Sequence, residues 1–343
     1  MHSLRRPLAV AMAFALAACA GSSSTPGATV GPARSSPPTG ATASHMAPPP
    51  AAPSPTEPGA TVTVLYQRLT GAGGGIYLLA SDGSERLLAP EVSGTQKHPD
   101  LSPDRRNVVF VVDETNAIWI KPIDGSAPAR YLIACCDYPA WSPDGKRLAY
   151  SVYENGTLPG PAASRIEVYD LETGKVTVVL RLERPHLVDV PRWSPDGTSL
   201  VVGVDQMDDK GFETGASIAT VPAGGGELHY LQKFSTFAYV PDWSPSGRIV
   251  FSDEIRAARE VPDSVWNLFV IDPDGSNLGE LRKAMPVVNL RNVVWARGTN
   301  GLIGVNDSTA KVVLIDVETG AQKVIGGTLA AHPRLIQDLT SPS

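Results

Sequence analysis

Cysteine is scarce in this chain: its 343 residues hold three, at positions 19, 135 and 136. If Cys19 is spent otherwise, only one adjacent pair remains for disulfide chemistry, too little for a cross-linked scaffold. Aromatic residues make up 6% and charged residues 19%, with a net charge of −6. Basic stripes are absent, which excludes the electrostatic footprint of a nucleic-acid binder. No apolar run reaches the ~20 residues a membrane-spanning helix needs. The motifs GxSxG, HExxH and CxxC are all missing, so the local signatures of a serine-hydrolase elbow, a zinc protease and a redox pair are lacking. Gly71 to Gly75 has the composition of a phosphate loop, but strand-like "IYLLA" follows it. No helix N-terminus is there to receive an anion.

What is present begins with an address. Arg5 and Arg6 precede an apolar run from Leu8 to Ala18, which is too short to cross a bilayer and fits a secretory signal over residues 1–18. The run ends in Leu16-Ala17-Ala18-Cys19, which resembles the lipobox of bacterial lipoproteins. That resemblance implies cleavage before Cys19, lipidation of its thiol, and an extracytoplasmic, periplasmic-type location anchored to the cell membrane or envelope. Several acyl chains hold a protein firmly where one is marginal. Residues 19–60 then run through Pro, Ser, Thr, Ala and Gly with almost no large apolar side chain. Such a segment cannot offset its ordering entropy by burial, so we expect a disordered stalk. At roughly 3 Å per residue it spans up to about 100 Å.

From residue 61 the texture changes to short β-branched runs between turn signals. "PAWSPDGKR" at 139–147 returns as "PRWSPDGTS" at 191–199 and "PDWSPSGR" at 241–248. Each Ser-Pro-Asp-Gly suits a tight turn: proline pre-sets φ, aspartate caps the local backbone and glycine takes the left-handed position. Four of the tryptophans, Trp141, Trp193, Trp243 and Trp295, occupy one recurring place. We read them as wedges between neighbouring units. After each such turn comes a strand, a loop, and two strands joined by a second turn, making four antiparallel strands in about fifty residues. Second turns occur six times, at Asp82-Gly83, Asp124-Gly125, Thr173-Gly174, Gly224-Gly225, Asp274-Gly275 and Thr319-Gly320. The first unit lacks its innermost strand, whereas "HPRL" at 332–335 echoes "HPDL" at 98–101 with no unit behind it. The expectation is an all-β, six-bladed propeller over residues 61–340, its first blade completed by the C-terminal strand. Closure removes exposed sheet edges.

These "PxWSPDGxxLxY" units resemble the WD-like propeller repeats of TolB, which also occur in the non-catalytic domains of prolyl oligopeptidases. TolB carries an α/β domain before its propeller, and residues 20–60 here do not have the composition for one. The resemblance implies the propeller fold, with weak implications for function.

In such a ring, the blade-to-blade connections and the loops between second and third strands emerge on one face. We expect His98, Asp137, Tyr138, His186, Asp189, Tyr239, Arg291, Asn292 and His332 there, together with insertions beginning at Tyr153, Asp205 and Asp253. Loops gathered on one face of a rigid scaffold read as a binding surface. The main expectation is a monomeric, non-catalytic module that holds a protein or envelope polymer, with no cofactor. The alternative is a metal-dependent polysaccharide lyase or another lyase or hydrolase. Some lyases resemble this fold and place histidines at the channel, and His98, His186 and His332 are the metal-ligand candidates. The acidic run Asp205, Asp208, Asp209 and Glu213 reads as a solvated loop before a calcium site. Cys135 and Cys136 read as buried thiols before a vicinal disulfide.

Overall fold

The computed structural model describes residues 62–336, apart from 71–72, 135, 156–159, 233–236, 256–264, 281–289, 297–300, 307, 318 and 320. The signal segment, Cys19, the stalk and Cys135 lie outside the described residues. Among the described residues, twenty-four strands form six separate four-stranded antiparallel sheets. The innermost strands touch one another in cyclic order, so the sheets close into a ring.

Blade 1 is built from the two ends of the described chain. Its inner strand Ala330–Leu335 pairs with Val62–Thr70, followed by Gly73–Ala80 and Glu85–Leu87. Blade 2 runs Gln96–Leu101, Asn107–Val112, Ala117–Pro122 and Arg130–Ala134. Blade 3 runs Asp137–Trp141, Arg147–Asn155, Pro161–Asp170 and Val176–Glu183. Blade 4 runs His186–Trp193, Ser199–Met207, Glu213–Pro222 and His229–Tyr230. Blades 5 and 6 begin with inner strands Phe237–Trp243 and Leu290–Trp295, each followed by three further strands. Among the described residues the one helical element is a single turn at Asp113–Thr115. None of the described helices is long and apolar enough to cross a membrane.

Why second strands carry unbroken apolar runs such as "VVFVV" at 108–112 follows from the ring. Both faces of a blade are covered by neighbours, so side chains alternate between two seams. Val108, Phe110 and Val112 enter the core between blades 1 and 2, while Val109 and Val111 enter the core between blades 2 and 3. Six such clusters fill the six seams.

The repeated turn has one mechanism. Ser142 Oγ donates to Asp144 Oδ1 at 2.5 Å and accepts the backbone N–H of Arg147 at 2.9 Å. Ser102 and Ser194 do the same with Asp104 and Asn107, and with Asp196 and Ser199. The turn's fourth position is left-handed, held by Gly145 at φ 71° and by Arg105 at φ 62° in blade 2. Glycine takes that conformation without steric cost, which explains its recurrence.

The tryptophans join blades in two ways. Indole N–H groups of Trp193 and Trp243 donate to the carbonyls of Ala140 and Arg192 on the preceding blade, at 3.1 and 3.2 Å. For Trp141 and Trp295 the backbone N–H donates instead, to the carboxylates of Asp100 and Asp242 at 2.9 and 2.8 Å.

Two expectations need correction. Two of the three insertions are largely strand, not loop: blade 3 extends its central hairpin to Asn155 and resumes at Pro161, and blade 4 extends to Met207 and resumes at Glu213. Polar residues there continue the ladder because backbone pairing, not apolar patterning, sets strand length beyond the core. In blade 5 the strands reach Ile255 and resume at Val265, with 256–264 outside the described residues. The acidic run is also split, with Asp205 and Glu213 in strands of blade 4 and Asp208 in the turn between them.

Candidate functional site

Each inner strand carries the same backbone irregularity at the end opposite the repeated turn. One residue takes a left-handed conformation and the strand bulges: His332, His98, Tyr138, Val190, Val240 and Asn292 in blades 1 to 6, with φ between 43° and 51°. Non-glycine residues adopt this conformation at a cost of order 1 kcal/mol each. Register slips at the same place in all the inner strands. The bulge re-aims side chains that a regular strand would bury in a seam.

Three rings meet as a result. His98 and Tyr138 stack with centroids 3.9 Å apart, and His332 meets His98 edge-on at 4.7 Å. Asp137 organises this side. Its Oδ1 lies 2.5 Å from His98 Nδ1 and accepts the backbone N–H of Tyr138 at 2.9 Å, while its Oδ2 lies 3.0 Å from Lys97 Nζ. Lys97 also reaches Asp113 at 2.6 Å. Burial by itself raises the Asp137 carboxyl, but His98 and Lys97 override it and hold the group at about 2. The His98 backbone N–H donates to Gln67 Oε1 of blade 1 at 3.2 Å.

The other side of the mouth is acidic. Tyr153 donates its hydroxyl to Asp189 Oδ2 at 3.1 Å, and Tyr239 donates to Glu213. Burial, then Glu213 and Asp137, push Asp189 up to about 7. Burial, then Asp189 and Glu213, push Asp205 well above the carboxylate range. Burial and these same carboxylates raise the phenols of Tyr138 and Tyr153.

Of the residues expected on this face, the structure brings together His98, Asp137, Tyr138 and His332, and separately Asp189 with Tyr239 by way of Glu213. His186 starts its strand opposite Gln206. Asn292 holds the left-handed position of blade 6, and the Arg291 side chain lies outside the described residues. Among the described residues no group of three or more His, Cys, Asp or Glu is arranged to hold a metal ion. Asp205 and Glu213 belong to the mouth, whereas Asp208 caps its own turn, accepting the N–H groups of Lys210 and Phe212 at 2.9 and 2.8 Å. Cys136 is a buried thiol that donates to the carbonyl of Ile133 at 3.6 Å. Sequence reasoning misses Lys97, Asp113 and Gln67, and takes in Tyr153 only as the start of an insertion on this face, not as a partner of Asp189. Their partners lie between 16 and 40 residues away, and only the hydrophobic alternation breaking at Tyr153 offers a local signal.

Deeper along the channel lies a second polar layer. Arg334, Asp100, Arg192 and Asp242 line a cavity of about 30 Å³ with Val294 and Trp295. Arg334 Nε donates to Asp100 Oδ1 at 2.9 Å. Arg192 and Arg334, three blades apart, each donate Nη1 to the carbonyl of the preceding proline, at 3.0 and 2.9 Å. Asp100 and Asp242, also three blades apart, each cap a tryptophan N–H. The layer repeats every half turn of the ring.

The fold is that of a six-bladed propeller. No family model matches the sequence. Among solved structures the chain is similar to TolB from Acinetobacter baumannii, with a TM-score of 0.59 and 14% identity over 80% of this chain and 66% of that one. It is also similar to an oligogalacturonate lyase in complex with manganese, with a TM-score of 0.54 and 13% identity over 76% of this chain and 73% of that one. In sequence it is 26% identical over 195 residues to a protein of Bacillus subtilis (strain 168) described as "Uncharacterized peptidase YuxL", covering 45% of this chain and 29% of that one. A second relative, "Uncharacterized protein Atu1656" of Agrobacterium fabrum, is 28% identical over 131 residues, 36% of this chain and 44% of its own length. The chain thus spans less than half the length of the curated relatives it matches. At these identities the structural likeness carries the fold. The same fold serves TolB and enzymes alike.

Proposed function

We propose that the protein is an extracytoplasmic, lipid-anchored propeller whose mouth holds a protein or envelope-polymer partner without transforming it. The observation that carries this reading is the convergence of His332, His98, Tyr138, Asp137 and Asp189 from four blades on one mouth, each aimed by the same backbone bulge. A scaffold that spends backbone strain repeatedly at one rim has a use for that rim. The fold shared with TolB and the Leu16-Ala17-Ala18-Cys19 box support the location and the tether.

A photo-crosslinking amino acid in place of Asn292 tests the first part. Crosslinks to one envelope component, abolished by His98→Ala with Tyr138→Ala in a folded protein, are expected. No mouth-dependent crosslink would defeat the reading. Cys19→Ala is expected to release the protein from membranes, and continued tight association counts against the lipid anchor.

The second reading is a metal-dependent lyase, favoured by the closeness of His98 and His332 and by the manganese-bound lyase of like fold. A stoichiometric transition metal in the purified protein, lost on changing both histidines to alanine, would establish it over the first.

A further inference from the structure

Two carboxylates of blade 4, Asp189 and Asp205, meet at the mouth, each raised by burial and by the other acids gathered there. Asp189 lies opposite Gly203, and Asp205 lies two residues further along that strand toward the rim. So close is Asp189 that a Cβ on Gly203 would stand 2.7 Å from its Oδ1. Asp189 accepts the Tyr153 hydroxyl, and Asp205 makes no hydrogen bond or ion pair among the described residues.

A buried hydroxyl points to the same place. Ala149, Ser151 and Tyr153 alternate along the face of blade 3 that packs on blade 4. Ala149 joins the seam core with Val188. Tyr153 reaches Asp189, and Ser164, opposite Tyr153, accepts the N–H of Val188 at 2.6 Å. Ser151, between Ala149 and Tyr153, is 0% exposed and its Oγ has no hydrogen-bond partner. Its hydroxyl is therefore aimed into the seam beneath Asp189. Buried hydroxyls in native proteins are ordinarily satisfied by protein, water or ligand, so this one, like that of Ser252 at the same level of blade 5, is open to a partner from outside the chain. Residues at this level are also small where the carboxylates gather. Ser151, Gly203 and Ser252 stand opposite Asp137, Asp189 and Tyr239, whereas Val111 and Val305 stand opposite Lys97 and Arg291.

The chemistry of the occupant follows. Among the described residues no group of these acids is arranged around a point as a metal shell requires. A polyatomic cation with N–H donors spread over several ångströms can meet separated carboxylates and lie against the faces of Tyr138 and Tyr153. We infer that the side of the mouth between blades 3 and 4 binds the ammonium or guanidinium group of a lysine or arginine side chain presented by a partner protein. This rests on the mouth being an interaction site and narrows the partner to one that offers a basic side chain. Burial and mutual repulsion favour the protonated form of the pair in the empty mouth, and a seated cation favours the carboxylates, so binding at or below about pH 7 releases protons.

The test uses acetyl-Gly-Lys-Gly-amide and acetyl-Gly-Arg-Gly-amide against acetyl-Gly-norleucine-Gly-amide, by calorimetry on the folded protein at pH 8. At least one basic peptide is expected to bind ten times more tightly than the neutral one or better. Asp189→Asn with Asp205→Asn is expected to remove that advantage, with a melting temperature equal to or above that of the parent. Asp208→Asn with Asp209→Asn, on the exposed turn, is expected to keep it, which controls for net charge. Repeating the titration at pH 7 in two buffers of different ionisation heat is expected to show proton release. Equal binding of basic and neutral peptides overturns the inference, as does full affinity in the Asp189/Asp205 variant. Stoichiometric binding of Ca²⁺ or Mg²⁺ that excludes the peptides overturns it in favour of an inorganic ion. If the peptides fail while crosslinks at the mouth still depend on His98 and Tyr138, the interaction reading stands and the basic side chain falls.

Discussion

Two polar layers line the same channel a few residues apart, and they are built on opposite rules. In the deeper layer the charged groups fasten neighbouring structure. Arg334 meets Asp100, the arginines tie down the prolines before them, and the aspartates cap tryptophan N–H groups of the next blade. At the mouth, Asp137 is compensated by His98 and Lys97, but Asp189 and Asp205 are set against one another. Compensated charge fastens blades; uncompensated charge waits for a ligand. Carboxylates whose environments drive their proton affinities in opposite directions within one cleft are a mark of a working site.

The comparison breaks most visibly at Asp100. Asp100→Ala leaves the buried Arg334 guanidinium and the Trp141 N–H without their acceptor, and the loss should be about 3–5 kcal/mol, as for other broken buried pairs. Urea unfolding checks it. Replacing Asp100 and Arg334 together with leucine and methionine should recover much of that loss. No recovery would mean that the layer does more than hold blades.

The mouth should show the reverse. Asp189 has its folded value raised to about 7 against about 4 unfolded, so between those limits the native state holds the extra proton. Stability then falls as pH rises from about 4 to 7. Asp189→Asn should therefore stabilise the empty protein at pH 8, on the order of 2 kcal/mol, and flatten that slope. Asp137 has the opposite sign: held at about 2, it contributes stability that is present above about 4 and lost as pH falls through 2. Thermal unfolding across pH 3–8 separates the two, and a destabilised Asp189→Asn protein at pH 8 would contradict the contrast.

Smaller effects sharpen the fastening side. Trp193→Phe keeps most of the apolar area in the blade 3–4 seam but loses the indole bond to Ala140, and should cost about 1 kcal/mol. Ser142→Ala removes one acceptor for Arg147 N–H at the far end of the ring and should cost about 1 kcal/mol or less, leaving peptide binding unchanged. A change in binding in the Ser142 variant would join the two ends of the channel functionally.

How much is legible in the sequence varies along each inner strand. The turn after each tryptophan is legible because Ser142, Asp144, Gly145 and Arg147 interact within five residues of one another. The mouth is legible as a face, since His98, Tyr138 and His332 all stand at the start of an inner-strand repeat. It is not legible as a constellation. The His98–Asp137 contact joins residues 39 apart, Tyr153–Asp189 joins residues 36 apart, and Arg334–Asp100 spans 234.

By itself the sequence determined the number of blades, their closure and the turns at one end, because those depend on local conformational preference repeated at a fixed period. Only the tertiary structure decided which carboxylates at the mouth are neutralised and which repel. That outcome depends on where ring closure brings separate blades together, and on how much water their packing leaves around each charge.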